Sequence, residues 1–300
     1  MPIEPHPSLT PPANSDRIWR YMDFPKYVSM LEVSSLYFCN VETLARTDPH
    51  EGALAQPNFR HRSWKELRDL TPEEWRELSM DGLDDEGKFN QFWSHKNSRE
   101  YLARRRFYDR RACFANCWHI DEYESAAMWS VYAPAEYGIA VIADYSRVVE
   151  ALTKASERVF ATKVQYIDFA KEPAHSELIF PIHKHRSFSY EQELRLLYWD
   201  LDIQEPINKL CTKLAATMFR GVGQPVRTAE VNWELIEDEV AKMKYDTGRN
   251  IAVDVLALVD EVRVSPLAGD WFVDLVRSVS RRYFPTIRVI RSDISSPPIR

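Results

Sequence analysis

Strand-like and helix-like segments follow one another along this chain without a regular β-α-β period, and that irregular order restricts the fold more than any other feature. The runs at Ile18–Tyr21, Ser35–Cys39, Ala112–Trp118, Gly138–Ala143, Ala161–Phe169, Leu256–Val264 and Ile287–Ile290 are short and rich in β-branched, aromatic and apolar residues, as strands are. Between them, Phe24–Val33, Glu124–Tyr132, residues 145–157 and the stretch from Ser265-Pro266 to Tyr283 read as helices. Pro25 sits where a first helical turn tolerates it, and Pro134 closes the second helix. The pattern predicts the α+β class: a curved, mostly antiparallel core sheet flanked by helices. Residues 17–293 read as a single domain with a helical insertion at about 203–250. Residues 1–16 read as a Pro-rich, disordered N-terminal arm, and 294–300 as a tail.

The segment HRSFSYEQELRLLYW, residues 185–199, places Glu191 and Glu193 two apart, then Arg195, then an apolar run. In a strand the three charged side chains share one face, because side chains alternate with period two. In a helix Glu191 and Arg195 form only an i,i+4 ion pair. The β-compatible continuation favours the strand. Arg195 and Arg186 are then the partners that would make this charged face plain solvated structure.

Other features narrow the chemistry. Only 8 of 300 residues are glycine, and neither a dinucleotide fingerprint nor a Walker-type loop occurs. The net charge of −6 is no electrostatic footprint for nucleic acid. Residues 88–111 nevertheless read as one long polar helix with Arg99, Arg106 and Arg110 on a shared face, a solvated surface or a cradle for an anion. Cys39, Cys113, Cys117 and Cys211 show no metal-ligand spacing, and read as reduced core thiols of a cytoplasmic protein. The N-terminus lacks an apolar leader, and no run reaches the length of a membrane span.

Taken in order, Trp19-Arg20-Tyr21, Leu36-Tyr37-Phe38, Asp48-Pro49-His50-Glu51, Cys113-Phe114, Met128-Trp129-Ser130-Val131-Tyr132-Ala133 with Gly138, and Tyr190-Glu191-Gln192-Glu193-Leu194-Arg195 form a set that resembles the bacterial domain-of-unknown-function family 2971. The resemblance extends over most of residues 17–293. It departs at His50, where the family carries an aromatic residue. The layout is also similar to that of ADP-ribosyltransferase-type folds, which bind NAD in a cleft between two small sheets. That likeness implies an NAD-dependent ADP-ribosyltransferase or NAD glycohydrolase, of the kind used as toxins or defence effectors, with a protein or nucleic-acid acceptor.

Cleaving the nicotinamide–ribose bond develops an oxocarbenium-like sugar. On this expectation Glu193 stabilises that charge, and Glu191 orients or deprotonates the acceptor. Arg20 meets the pyrophosphate, and Tyr21, Trp129 and Tyr132 stack on rings. No metal is needed. Each residue also has an ordinary reading. Met128, Trp129 and Tyr132 at helical spacing suit a core, and Arg20 suits a salt bridge to Asp48 or Glu51. Two alternatives stand beside the transferase: a non-catalytic binding domain, and a metal-dependent nuclease using Asp48, Glu51, Glu191 and Glu193. His183-x-His185 offers two further imidazole ligands on one strand face.

Overall fold

The structure, a computed structural model, describes residues 3–59, 71–73, 84, 106–133, 136–174, 181–218 and 233–295. Strand β1 (Arg17–Asp23) runs directly into helix α1 (Phe24–Val33). The Asp23 side chain caps α1 by accepting from the Lys26 N–H at 2.8 Å, and Ser34, at φ 48°, turns the chain out of the helix. β2 (Ser35–Asn40) and the short α2 (Val41–Leu44) follow. After the segment that carries Asp48 and Glu51 come β3 (Cys113–Ile120), α3 (Ala126–Tyr132), β4 (Gly138–Asp144), α4 (Tyr145–Ala151), β5 (Val159–Lys163) and β6 (Gln165–Ile167). The chain continues through β7 (His183–His185), a 3-10 turn (Arg186–Glu191), β8 (Glu193–Trp199), α5 (Leu201–Met218) and α6 (Trp233–Lys242). It closes with β9 (Gly248–Ala252), α7 (Val255–Leu258), β10 (Glu261–Val264), α8 (Asp270–Tyr283) and β11 (Arg288–Arg291).

Nine strands make one sheet in the order β11-β10-β4-β1-β3-β2-β9, with β8 and β5 added beside β3. Among the described residues, β10 and β11 form the parallel ladder of this sheet and its other ladders are antiparallel. β6 and β7 form a separate parallel pair. The α+β class expected from the sequence is therefore the architecture observed.

Strand alternation sorts the core. Ile18 and Met22 of β1 pack with Phe114, Trp118, Val141, Leu194 and Leu196, beneath Tyr27, Met30 and Leu31 of α1 and Phe272, Val273 and Val276 of α8. The Tyr27 hydroxyl meets the Ser280 hydroxyl at 2.8 Å and ties those two helices together. On the opposite face Trp19, Tyr21, Ala140 and Ile142 pack against Met128, Trp129 and Ala133 at α3. Gly138 allows that close approach: a Cβ there would lie 2.6 Å from the Ala133 carbonyl oxygen and 2.9 Å from the Ala133 Cβ.

The feature that positions the site is a fork. β3 holds β8 along one edge, from Cys113↔Trp199 to His119↔Glu193. Its other edge is divided: β2 pairs at Cys39↔Ala115 and Asn40↔Phe114, and β1 pairs at Ile18↔Ile120 and Trp19↔His119. β1 and β2 diverge from there, each stabilised on its far side by β4 and β9 respectively. Side chains take over where strand pairing stops. Asn116 Nδ2 and Arg20 Nη2 both donate to the Tyr37 carbonyl, at 2.8 and 3.2 Å, and Trp118 Nε1 donates to Asn116 Oδ1 at 2.7 Å.

Several expectations change here. Residues 3–16 are not a loose arm. Ile3 bridges Val159, Lys163 N–H donates to the Thr10 carbonyl at 2.8 Å, and Leu9 is buried with Ala115, Ile182 and Leu197. β5 is an edge strand, and this segment supplies its missing hydrogen-bond partners. The helical insertion spans α5 and α6 but ends before residue 248, because β9 is the edge strand on β2. Leu256–Leu258 is helical rather than extended, since Asp254 caps it by accepting from the Leu256 and Ala257 N–H groups. The expected strand Ala161–Phe169 is split into β5 and β6 at Val164. The arginine helix at 88–111 lies outside the described residues up to 105; Arg106 and Arg110, which are described, are buried rather than solvated. The Cys211 side chain also lies outside them.

Candidate functional site

The fork opens into a cleft of about 790 Å³, within the range of small-molecule sites. β1 contributes Trp19 to Met22, β2 contributes Tyr37 and Cys39, and β3 contributes Cys117, Trp118 and His119. α3 adds Met128 and Tyr132, and the polar end is built by Asp48, Glu51, Lys184, Glu191, Glu193 and Arg195.

Of the six residues singled out from sequence, five line this cleft: Arg20, Tyr21, Tyr132, Glu191 and Glu193. Trp129 does not. It is 4% exposed, its Nε1 donates to Glu124 Oε2 at 3.0 Å, and its ring meets Tyr21 edge to face at 5.0 Å. Trp129 is core, and it holds Tyr21 in place. The Tyr21 hydroxyl in turn accepts from the Ser125 N–H at 2.9 Å.

Glu191 and Glu193 do not share a strand face as expected. Glu191 ends the 3-10 turn, Gln192 adopts φ 40°, and β8 begins at Glu193. The kink nevertheless brings both carboxylates to Lys184. Its Nζ pairs with Glu191 Oε2 and reaches Glu193 Oε2 at 3.3 Å. Arg195 Nε and Nη2 donate to the two oxygens of Glu193 at 2.7 and 3.1 Å. The same guanidinium grips both oxygens of Glu51 and also donates to the Pro181 carbonyl at 2.7 Å. Arg186 lies elsewhere, paired with Glu172.

These contacts give the two glutamates opposite characters. Burial pushes Glu193 up, but the Arg195 and Lys184 charges outweigh it and hold the carboxyl at about 2. Glu191 is raised: burial and the neighbouring Glu193 charge exceed the help from Lys184 and from the Tyr132 hydroxyl, which donates to Oε1 at 2.7 Å. Burial works against the Lys184 ammonium, yet the two glutamates raise it. Burial also raises the Tyr132 hydroxyl and lifts the Cys117 thiol well above its ordinary range, so both stay protonated at neutral pH.

Arg20 stands apart. It forms no salt bridge to Asp48 or Glu51, because Glu51 is taken by Arg195. Its guanidinium lies 5.9 Å from the Trp118 ring centre, and Nη1 is shut from solvent without a hydrogen-bond partner among the described residues. Burial lowers it to about 10. The cleft thus sets a cation with no acid partner among the described residues beside a buried cluster of three carboxylates and two cations.

Sequence reasoning passed over Lys184. It lies between His183 and His185 on β7, and by strand alternation it faces the other way and points at the glutamates. His50 occupies an aromatic niche, stacked on Phe169 at 4.7 Å and on His185 at 5.5 Å. Among the described residues no group of three or more His, Cys, Asp or Glu side chains is placed to hold a metal ion. Among them, too, no helix is long and apolar enough to cross a membrane. Comparison with protein-family models, with curated proteins and with solved structures yields no match.

Proposed function

We propose that the forked cleft binds NAD and cleaves its nicotinamide–ribose bond, passing ADP-ribose to an acceptor or to water. The observation that carries this reading is the convergence of Arg20, Tyr21, Tyr132, Glu191 and Glu193 on one cleft between two diverging arms of the sheet. The reading accords with the resemblance to ADP-ribosyltransferase-type folds, and the roles follow from protonation. Glu193 stays ionised at every physiological pH, as a group must that stabilises positive charge developing on the ribose. Glu191, held higher, is the carboxyl that exchanges a proton with the acceptor nucleophile. Arg20, which pairs with no acid among the described residues, meets the pyrophosphate. Tyr132, partly exposed at the rim, packs on a ring.

One observation favours a second reading. Both oxygens of Glu193 are already occupied by Arg195 and Lys184, as they would be in a binding domain whose charged network is framework. Calorimetric titration with NAD, followed for free nicotinamide, separates the two. The enzyme reading expects binding by the wild type, nicotinamide release, and loss of release but not of binding in Glu193→Gln. Binding without release favours the binding domain. No binding at millimolar NAD removes the NAD reading.

A further inference from the structure

Two acceptor atoms in the cleft have no assigned task. Asp48 is 3% exposed; its Oδ1 accepts from the His50 N–H at 3.0 Å, while Oδ2 is buried without a hydrogen-bond partner among the described residues. His119 is 1% exposed, and its Nδ1 lies 2.6 Å from the Glu191 carbonyl oxygen. A carbonyl only accepts, so Nδ1 carries a proton, and in that tautomer Nε2 is the acceptor. Among the described residues Nε2 has no hydrogen-bond partner; Asp121 Oδ2 lies 3.7 Å away, beyond hydrogen-bonding distance. Both side chains line the cleft, as does Arg20 with its unpartnered Nη1. Buried polar atoms without partners are rare, and three in the lining of one cleft describe what belongs there.

We infer that the ligand is held by sugar hydroxyls donated to Asp48 Oδ2 and His119 Nε2. The inference rests on the proposed NAD reading and deepens it. The two acceptors call for O–H or N–H donors, and the Arg20 cation calls for an anion. A nucleotide presents both: ribose hydroxyls and phosphate. A carboxylate accepting from a ribose hydroxyl is a familiar device in dinucleotide sites. Asp48 and His119 are thus binding residues, distinct from the glutamates that carry the chemistry.

The test needs no variant to begin. Wild-type protein is titrated with NAD and with analogues lacking the hydroxyls of one ribose or the other. Nicotinic acid adenine dinucleotide, which replaces the carboxamide N–H₂, controls for donors on the base. Loss of a charged hydrogen bond predicts about tenfold weaker binding of at least one deoxy analogue, with the acid analogue little affected. Asp48→Asn keeps an oxygen for the His50 N–H and turns an N–H₂ toward the cleft. His119→Asn keeps the donor to the Glu191 carbonyl and removes Nε2. Either variant should weaken NAD and erase the penalty for one missing hydroxyl, with an unchanged melting temperature. Variants that bind NAD as tightly as wild type, or a penalty that follows the carboxamide, overturn the inference while NAD binding stands. Hydroxyl-dependent binding without nicotinamide release keeps the inference and removes the cleavage step. Absence of binding by NAD and ADP-ribose overturns both.

Discussion

Arg195 and Leu196 are adjacent in sequence and point to opposite faces of the sheet, and the regions they serve are built on opposite principles. Leu196 joins an apolar core with Ile18, Phe114, Val141 and Phe272, where register and hydrocarbon packing do the holding. Arg195 is equally buried, yet it is ringed by Glu51 and Glu193. Burying hydrocarbon stabilises by roughly 25 cal/mol per Å². Burying charge costs desolvation, and a well-paired cluster about breaks even against hydrocarbon of the same shape. The apolar face therefore accounts for stability, whereas the charged cluster is best explained by what its geometry holds at the fork.

The sharpest way to break this comparison is Arg195→Ala, which strands two buried carboxylates. It should cost about 3–5 kcal/mol in denaturant unfolding at pH 7, and noticeably less at pH 4 as the acids protonate. A loss independent of pH would show that packing, not charge, is the cause. Leu196→Ala is the counterpart next door. It should cost about 2–5 kcal/mol with no change in the pH profile.

The pH profile itself follows from the glutamates. The folded-state value of Glu193 lies below the unfolded one, so its stabilisation is full above the ordinary glutamate range and is lost as pH falls toward about 2. Glu191 is raised, so its contribution has the opposite sign: it is present at low pH and lost as pH rises through its folded-state value. Melting curves between pH 3 and 7 should show a shallower acid loss in Glu193→Gln, and a gain at neutral pH in Glu191→Gln. The same slope in wild type and Glu193→Gln would remove the ion-pair account.

Smaller effects sharpen the boundaries. Gly138→Ala should cost about 1–3 kcal/mol by driving a methyl into the end of α3, read as a lower melting temperature. Arg20→Met removes a desolvated cation that no acid among the described residues offsets, so stability should be unchanged or higher by about 1 kcal/mol, while on the proposed NAD reading affinity for NAD falls. A clear destabilisation would mean that Arg20 is a strut of the fork through its bond to the Tyr37 carbonyl.

Much of the apolar region is legible in the residues themselves. Pro25 at the head of the run Phe24–Val33 announces α1, and the runs at Ile18, Ser35, Ala112 and Gly138 announce four strands. The errors lie where local chemistry competes with pattern. Asp254 captures Leu256 into a helical turn, and the Pro-rich start docks because a distant edge strand needs partners. In the site, the likeness to ADP-ribosyltransferase-type folds pointed to Glu191, Glu193, Arg20, Tyr21, Tyr132 and Trp129. Helical spacing alone could not separate Trp129, which faces the core, from Tyr132, which faces the cleft.

The sequence by itself determined the α+β class, the strand that carries Glu193 and Arg195, and the kinds of side chain available for chemistry. Periodicity and capping are local, and a chain displays them before it folds. Only the tertiary structure decided that β1 and β2 part along β3, that Lys184 stands between the glutamates, that Glu51 as well as Glu193 satisfies Arg195, and that Arg20 pairs with no acid among the described residues. Those outcomes depend on burial and on contacts between segments far apart in the chain, and both come into being only when the sheet assembles.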